Sequence, residues 1–223
     1  MLRKQLLDSS SRGRLVAILQ RGPLTADEMA SQLGLTAAAV RAHITAMQRD
    51  GIVRRAGQRA GPTRPSQLFE LTAEMEQLLS GAYLPLLIEL VRQSAARLAT
   101  KPFRDLMRST GRALAATLPR TTGSDVPLAA RVTAVSALLN EQFGSTMKVE
   151  KTNGHYTLQG HGCPLAALTG KHPAVCLAIE RLIGELLDAE VGECCDRTER
   201  PQCCFHVSER SASRRSAARS MRA

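Results

Sequence analysis

Tryptophan is missing from this 223-residue chain, and only two tyrosines and four phenylalanines occur in it. So few rings cannot furnish the stacking platforms on which single-stranded nucleic acids are held. The core must be built instead from leucine, alanine, valine and isoleucine, and a hydrophobic content of 43% is ample for that. No window of about 18 apolar residues appears, so no membrane-spanning helix is expected. The longest apolar stretch, Leu84–Val91, is interrupted by Pro85 and Glu89. The first residues lack the apolar run of a secretory leader, and a cytoplasmic location is expected. Enzymatic signatures are wanting too: there is no GxSxG and no Gly-rich phosphate loop, and Gly160-His161-Gly162 has no GxxG continuation. The chain is therefore read as a binding protein and not an enzyme.

What is present is positive charge, +10 in all, and it is unevenly placed. Residues 1–72 carry 11 basic and 5 acidic side chains, residues 73–207 carry 14 of each, and residues 208–223 carry 5 and 1. A basic N-terminal region suits a polyanion such as double-stranded DNA.

The local signals there agree. An apolar-striped helix over Ser10–Arg21 stops at Gly22-Pro23. Thr25 with Glu28 three residues on forms a capping box for a second helix, which Gly34 ends. Thr36 opens a third helix reaching Asp50, with Val40, Ile44 and Met47 spaced for burial. Helix, short Gly-containing turn, helix is the order of a helix-turn-helix. The segment IVRRAG, an Arg/Gly/Pro-rich tip and QLFELT then read as a β-hairpin, which makes the unit winged. The third helix is expected to enter the major groove with Thr36, Ala38, Ala39, Arg41 and His43 toward DNA. Arg54, Arg55, Arg59 and Arg64 of the wing are expected on phosphate or in the minor groove.

A long apolar-striped helix is predicted over residues 73–99, capped by Thr72 and kinked or divided at Pro85. It serves either to pair with its copy in a homodimer or to pack within the chain. Beyond it, helices are predicted over Phe103–Leu118, Ala129–Phe143 and Ala174–Leu187. Strands are predicted at Ser145–Lys151, Tyr156–His161, Glu190–Cys195 and Cys203–Val207, with Asn153-Gly154 as a hairpin turn. The Ser/Arg/Ala-rich tail reads as disordered. The expected fold is mainly α with α+β: a winged helix-turn-helix over 1–72, a linking dimerisation helix over 73–100, a small α+β sensor domain over 101–207 and a basic tail over 208–223.

All six cysteines lie between residues 163 and 204, as Cys163, Cys176, Cys194-Cys195 and Cys203-Cys204. In a reducing compartment they are expected as free thiols, as ligands or redox groups. No CxxC knuckle is present, so the fold must gather any ligands, which favours an iron–sulfur cluster over zinc while leaving zinc open. Adjacent strand residues point to opposite faces, so one of each pair is expected to bind and the other to pack. Cys195 and Cys203 flank the loop DRTERPQ most symmetrically. The expected set is Cys163, Cys176, Cys195 and Cys203, with His161, His172 and His206 as nearby substitutes.

The winged unit followed by Cys163-Pro164, twelve residues to Cys176 preceded by His172-Pro173, and Cys195-Asp196-Arg197 leading to Cys203, resembles the SufR-like regulators. These have an ArsR/DeoR-type winged helix and an iron–sulfur cluster in their C-terminal part. The resemblance implies a homodimeric repressor on an inverted-repeat operator, a [4Fe–4S] cluster and control of cluster-assembly genes. The rivals are a zinc-binding regulator of the same architecture and a ligand-binding or enzymatic α+β domain fused to a DNA anchor.

Overall fold

The structure is a computed structural model that describes residues 10–61, 64–120, 126–152, 155–197 and 200–209. The Asn153-Gly154 turn and the tail beyond residue 209 lie outside these residues. The chain divides into two compact units, Met1–Tyr83 and Leu84–Ala223. The fold is mixed, with a helix-rich N-terminal unit and a C-terminal unit of helices on a small antiparallel sheet.

In the first unit, α1 (Ser11–Leu19), β1 (Leu24–Thr25), α2 (Ala26–Leu33) and α3 (Ala37–Arg49) precede the hairpin β2 (Val53–Arg59) and β3 (Ser66–Leu71). The capping box forms as expected. Thr25 Oγ1 accepts from the Glu28 amide, and the Glu28 carboxylate accepts from the Thr25 amide. Gly34 ends α2 in the left-handed region at φ +65°, where a side chain would be strained. Thr36 caps α3. Leu15, Leu19, Met29, Val40, Ile44 and Met47 form the core with Val53 and Leu71 of the hairpin. A bulge at Ala56 shifts the β2–β3 register, and Gly57 at φ +108° makes it possible. Two residues ahead of α2, β1 pairs with β3 and completes a three-stranded sheet in the order β1-β3-β2.

The helix predicted over 73–99 is divided, as Pro85 suggested, but at Ser80–Ala82. It becomes α4 (Ala73–Leu79) and α5 (Tyr83–Arg97). Pro85 sits in the first turn of α5, where a missing amide costs no helical hydrogen bond.

The second unit continues with α6 (Thr100–Thr117), α7 (Leu128–Phe143), β4 (Met147–Thr152), β5 (His155–Gly160), α8 (Ala166–Thr169), a single 3-10 turn Pro173–Val175, α9 (Cys176–Leu187), β6 (Glu190–Glu193) and β7 (Cys204–Ser208). The sheet order is β4-β5-β7-β6, all antiparallel. One face is apolar: Met147, Leu158, Phe205 and Val207 pack on α7 and α9 through Val132, Val135, Leu182 and Ile183. Arg131 reaches the end of α9, donating to the Leu187 carbonyl and to Val126 O. Its positive charge suits a helix C-terminus. Helices α6 and α9 are in close contact where Gly111 faces the Ala178 backbone: a β-carbon added at Gly111 would collide with the Ala178 oxygen.

Candidate metal centre and nucleic-acid interface

The β6–β7 ladder decides what each cysteine can do. The register Glu193↔Phe205 and the bridge Asp196↔Gln202 bracket two rungs, Cys194 opposite Cys204 and Cys195 opposite Cys203. Successive strand residues alternate faces, so the two rungs look in opposite directions. On the outer rung Cys194 and Cys204 form a disulfide across 4.8 Å between Cα atoms. The expectation that all six cysteines are free is corrected here: directly opposed cysteines in an antiparallel ladder fall within disulfide reach. The four that remain free are Cys163, Cys176, Cys195 and Cys203.

Those four come from four segments. Cys203 is buried in the sheet–helix core, and Cys163 and Cys195 pack against the same core. Cys203 is laced to the chain before Cys163: its oxygen accepts from the Gly160 amide at 2.8 Å, and its amide donates to Gly162 O at 3.4 Å. Cys176, buried, is the first residue of α9. Cys163 Sγ stands 3.7 Å from Thr169 Oγ1. A close group forms where Cys176, Cys195 and the Glu193 carboxylate bring ligand atoms within 4.8 Å of one another. The Cys204 amide donates to Cys195 Sγ at 3.3 Å.

Two of these thiols, Cys176 and Cys195, are held in the neutral form by their surroundings. Hydrogen bonding to Cys195 and burial push Cys176 well above the usual thiol range, against the opposing pull of Arg197. For Cys195, the bond from Cys176 lowers the value. The bond to Cys203 and burial outweigh it, and the thiol is pushed up to about 12. Neutral thiols pressed together in a low-dielectric site become thiolates when a cation is supplied, because the metal's charge inverts the local preference. The donor set of four thiols from separate segments suits a cluster, and the close Cys176–Glu193–Cys195 group suits a single ion.

Sequence reasoning missed Glu193. Its Oε1 accepts from the Cys195 amide at 2.8 Å, its other oxygen holds Arg197, and its own amide donates to Glu180 Oε2 at 3.1 Å. The packing of β6 beside α9, tied by the Glu193–Glu180 bond, brings this carboxylate to Cys176. The Glu193–Arg197 side opens on a cavity of about 510 Å³, walled also by Phe103, Arg104, His172 and Glu180. His172 packs edge-on against Phe103 with ring centroids 6.5 Å apart, and His161 is exposed. His206 lies beside Cys194 and Cys204 on the outer rung's side.

In the N-terminal unit, α3 buries Val40, Ile44 and Met47 and exposes Thr36, Ala38 and Arg41, with Ala39 and His43 half-buried. Arg41 Nη2 donates to Asp27 Oδ1 at 3.0 Å. Arg54, Arg55, Arg59 and Arg64 are all exposed. Arg54 pairs with Glu70 at 2.6 Å, and Arg59 pairs with Glu28. The Thr25 amide, with help from Arg59, holds the Glu28 carboxyl below its ordinary range. The same carboxylate thus closes the capping box of α2 and anchors the wing to it.

Among the described residues no helix is long and apolar enough to cross a membrane. No curated protein matches the chain. Among solved structures, the apo form of a double mutant of ZitR from Lactococcus lactis aligns with a TM-score of 0.28 at 13% identity, covering 49% of this chain and 82% of that one. A helix-turn-helix domain family model matches residues 6–56, the stretch that holds α1, α2, α3 and the start of the wing. The N-terminal unit thus carries a helix-turn-helix domain, the element with which transcription regulators bind duplex DNA.

Proposed function

We propose that this protein is a homodimeric transcription repressor whose operator affinity is set by a [4Fe–4S] cluster on Cys163, Cys176, Cys195 and Cys203. One observation carries the reading. The Cys194–Cys204 bond removes two cysteines; of the four left free, Cys163, Cys195 and Cys203 meet at one core, and Cys176 joins them through its closeness to Cys195. When bound, the cluster supplies a redox- and oxygen-sensitive charge at that end. Around it, this chain's residues supply four thiols, a backbone laced between Gly160 and Cys203, and the Glu193–Arg197 pair beside Cys176. Control of cluster-assembly genes fits a protein that measures the cluster it carries.

Zinc is the second reading, favoured by the closeness of Cys176, Glu193 and Cys195. Around one tetrahedral zinc with bonds of about 2.3 Å, neighbouring sulfurs lie roughly 3.8 Å apart. Anaerobic purification followed by a visible spectrum and iron, sulfide and zinc analysis separates the two. Iron with equimolar sulfide supports the cluster, and zinc alone replaces it with a structural site.

On the DNA side, α3 lies in the major groove and the wing on the backbone. Arg41 leaves Asp27 for a guanine edge, to which its fork is matched. Arg41→Ala is expected to cost about 1–3 kcal/mol of operator binding and to relax specificity at one base pair. Arg59→Gln or Arg64→Gln should instead weaken all sequences alike and lower the salt slope by roughly one unit. Gel-shift titration on an operator panel at several salt concentrations measures both. Equal losses at every base for Arg41→Ala would remove it as a base-reading residue.

The dimer is read from α5. Its inner side packs Ile88, Val91 and Ala95 on Phe103 and Met107, while Tyr83, Leu84, Leu86, Leu87 and Leu90 stand exposed. So much apolar surface on one helix is what a second copy would cover. Two recognition helices then read half-sites about one helical turn apart. Leu86→Glu with Leu90→Glu is expected to turn a dimer into a monomer in light scattering at micromolar concentration. A wild-type monomer that binds an inverted repeat fully would remove the dimer.

A further inference from the structure

We propose that the outer face of the C-terminal sheet carries a second, redox-gated site for a thiophilic divalent cation, built from Cys194, Cys204 and His206. The sulfurs of the two cysteines and an imidazole nitrogen of His206 lie within 4.8 Å of one another. Both cysteines are half-buried and His206 is exposed, so a solvated ion and a reductant can reach them.

The strand geometry accounts for the grouping. Cys204 and His206 are two residues apart on β7 and share a face. Cys194 follows the end of the neighbouring strand β6, and its amide donates to the Cys204 oxygen at 2.8 Å. The residue across from His206 is Gly192, where an added β-carbon would meet nothing within 4 Å. The space over β6 is therefore open beside the ring. On the other side, Thr157 Oγ1 of β5 lies 3.2 Å from His206 Nδ1. A ligating imidazole is commonly fixed through one nitrogen in this way while the other binds the ion. Two thiolates and an imidazole are a donor set for zinc or cadmium, the two negative charges match a divalent ion, and a fourth position stays open for water. The inner rung, Cys195 and Cys203, faces away from this site.

Oxidation state decides whether the site exists. The same two sulfurs either bond to each other or bind the ion. A small-molecule or protein dithiol opens it: one thiolate attacks a disulfide sulfur, and the resulting mixed disulfide is resolved by the second thiol. The products are two cysteine thiols and an oxidised dithiol, with two electrons and two protons delivered to the pair. The incoming divalent ion then displaces both thiol protons to solvent. A disulfide oxidant runs the exchange backwards and expels the ion.

Cadmium titration of the full-length chain tests this, followed by thiolate-to-cadmium absorbance and by native mass spectrometry. It is run on the Cys194–Cys204 disulfide form and on the form reduced with a dithiol that is then removed. The reduced form is expected to bind one further cadmium ion. Cys194→Ser and Cys204→Ser should each lose that ion and keep the binding of the disulfide form. His206→Ala should weaken it by at least about tenfold. Equal stoichiometry in the two redox forms overturns the proposal. So does retention of the extra ion in both serine variants, or an unchanged affinity in His206→Ala.

Discussion

Cys176→Ser is expected to remove the visible chromophore of the anaerobically purified protein completely. It should also move operator affinity by about 5–150-fold, in the same direction as exposure to oxidant. Cys176 is the buried first residue of α9, and its sulfur lies within 4.8 Å of that of Cys195. Serine fits the space, but its hydroxyl is a hard, weakly acidic oxygen where iron–sulfur chemistry wants a soft thiolate. Cys194→Ser is the control. It breaks the outer disulfide and leaves all four inner thiols in place, so the chromophore should survive. Loss of colour in both variants alike would point to a general failure of the sheet. Full colour in Cys176→Ser would take Cys176 out of the ligand set.

Gly111→Ala is expected to destabilise the C-terminal unit by about 3 kcal/mol, at the upper end of overpacking costs. For a unit of this size that is roughly a 10 °C fall in Tm. The new methyl would collide with the Ala178 oxygen and sit 2.9 Å from its carbonyl carbon. Both are backbone atoms, so no rotamer can yield and the two helices must separate. Ala178 lies two residues beyond Cys176, so the displacement passes directly to the candidate ligand, and metal content should fall along with stability. Gly184→Ala, also in α9, gives the contrast. Its β-carbon would meet Ala189 O at 3.5 Å and Val191 Cγ2 at 3.8 Å, ordinary contacts. Relief of glycine's backbone freedom should make it neutral or stabilising by up to about 1 kcal/mol. Differential scanning calorimetry of both variants decides. Equal melting temperatures would mean that α6 and α9 separate at little cost.

Much of the N-terminal unit is legible before any coordinates because its signals are local. Thr25, Glu28, Gly34 and Thr36 each act within one helical turn, and Val40, Ile44 and Met47 repeat at helical spacing. The strand β1 is not legible: two residues after Gly22-Pro23 show no alternation, and only β3 makes them a strand. The division between α4 and α5 was expected from Pro85, yet the helix restarts just ahead of it, since proline is comfortable in a first turn.

In the C-terminal unit, alternation along a strand sets Cys194 apart from Cys195 and Cys203 apart from Cys204, though the expectation that the outward pair merely packs gives way to a disulfide. Alternation cannot say which residue lies across the ladder. Register is a tertiary property and joins Cys194 to Cys204, while the packing of β6 on α9 carries Glu193 to Cys176. Gly111 was silent for a similar reason: within a helical pattern it looks like a weak helix former. Its meaning lies in Ala178, 67 positions away.

The break at Ser80–Ala82 separates two cores that do not share residues. The N-terminal core ends with Leu79 on one side, and Ile88 begins the packing on the other. Such a joint is a seam at which genes can be recombined. A different sensor could be spliced after Leu79, or a different winged domain before Tyr83, without cutting through either core cluster. The same seam sets the limits of exchange. A graft that ends inside α4 would strip Leu79 and Met75 from the core of the winged unit. One that begins after Val91 would uncover Phe103 and Met107. Three residues of chain therefore mark the point at which an exchange leaves each core cluster whole.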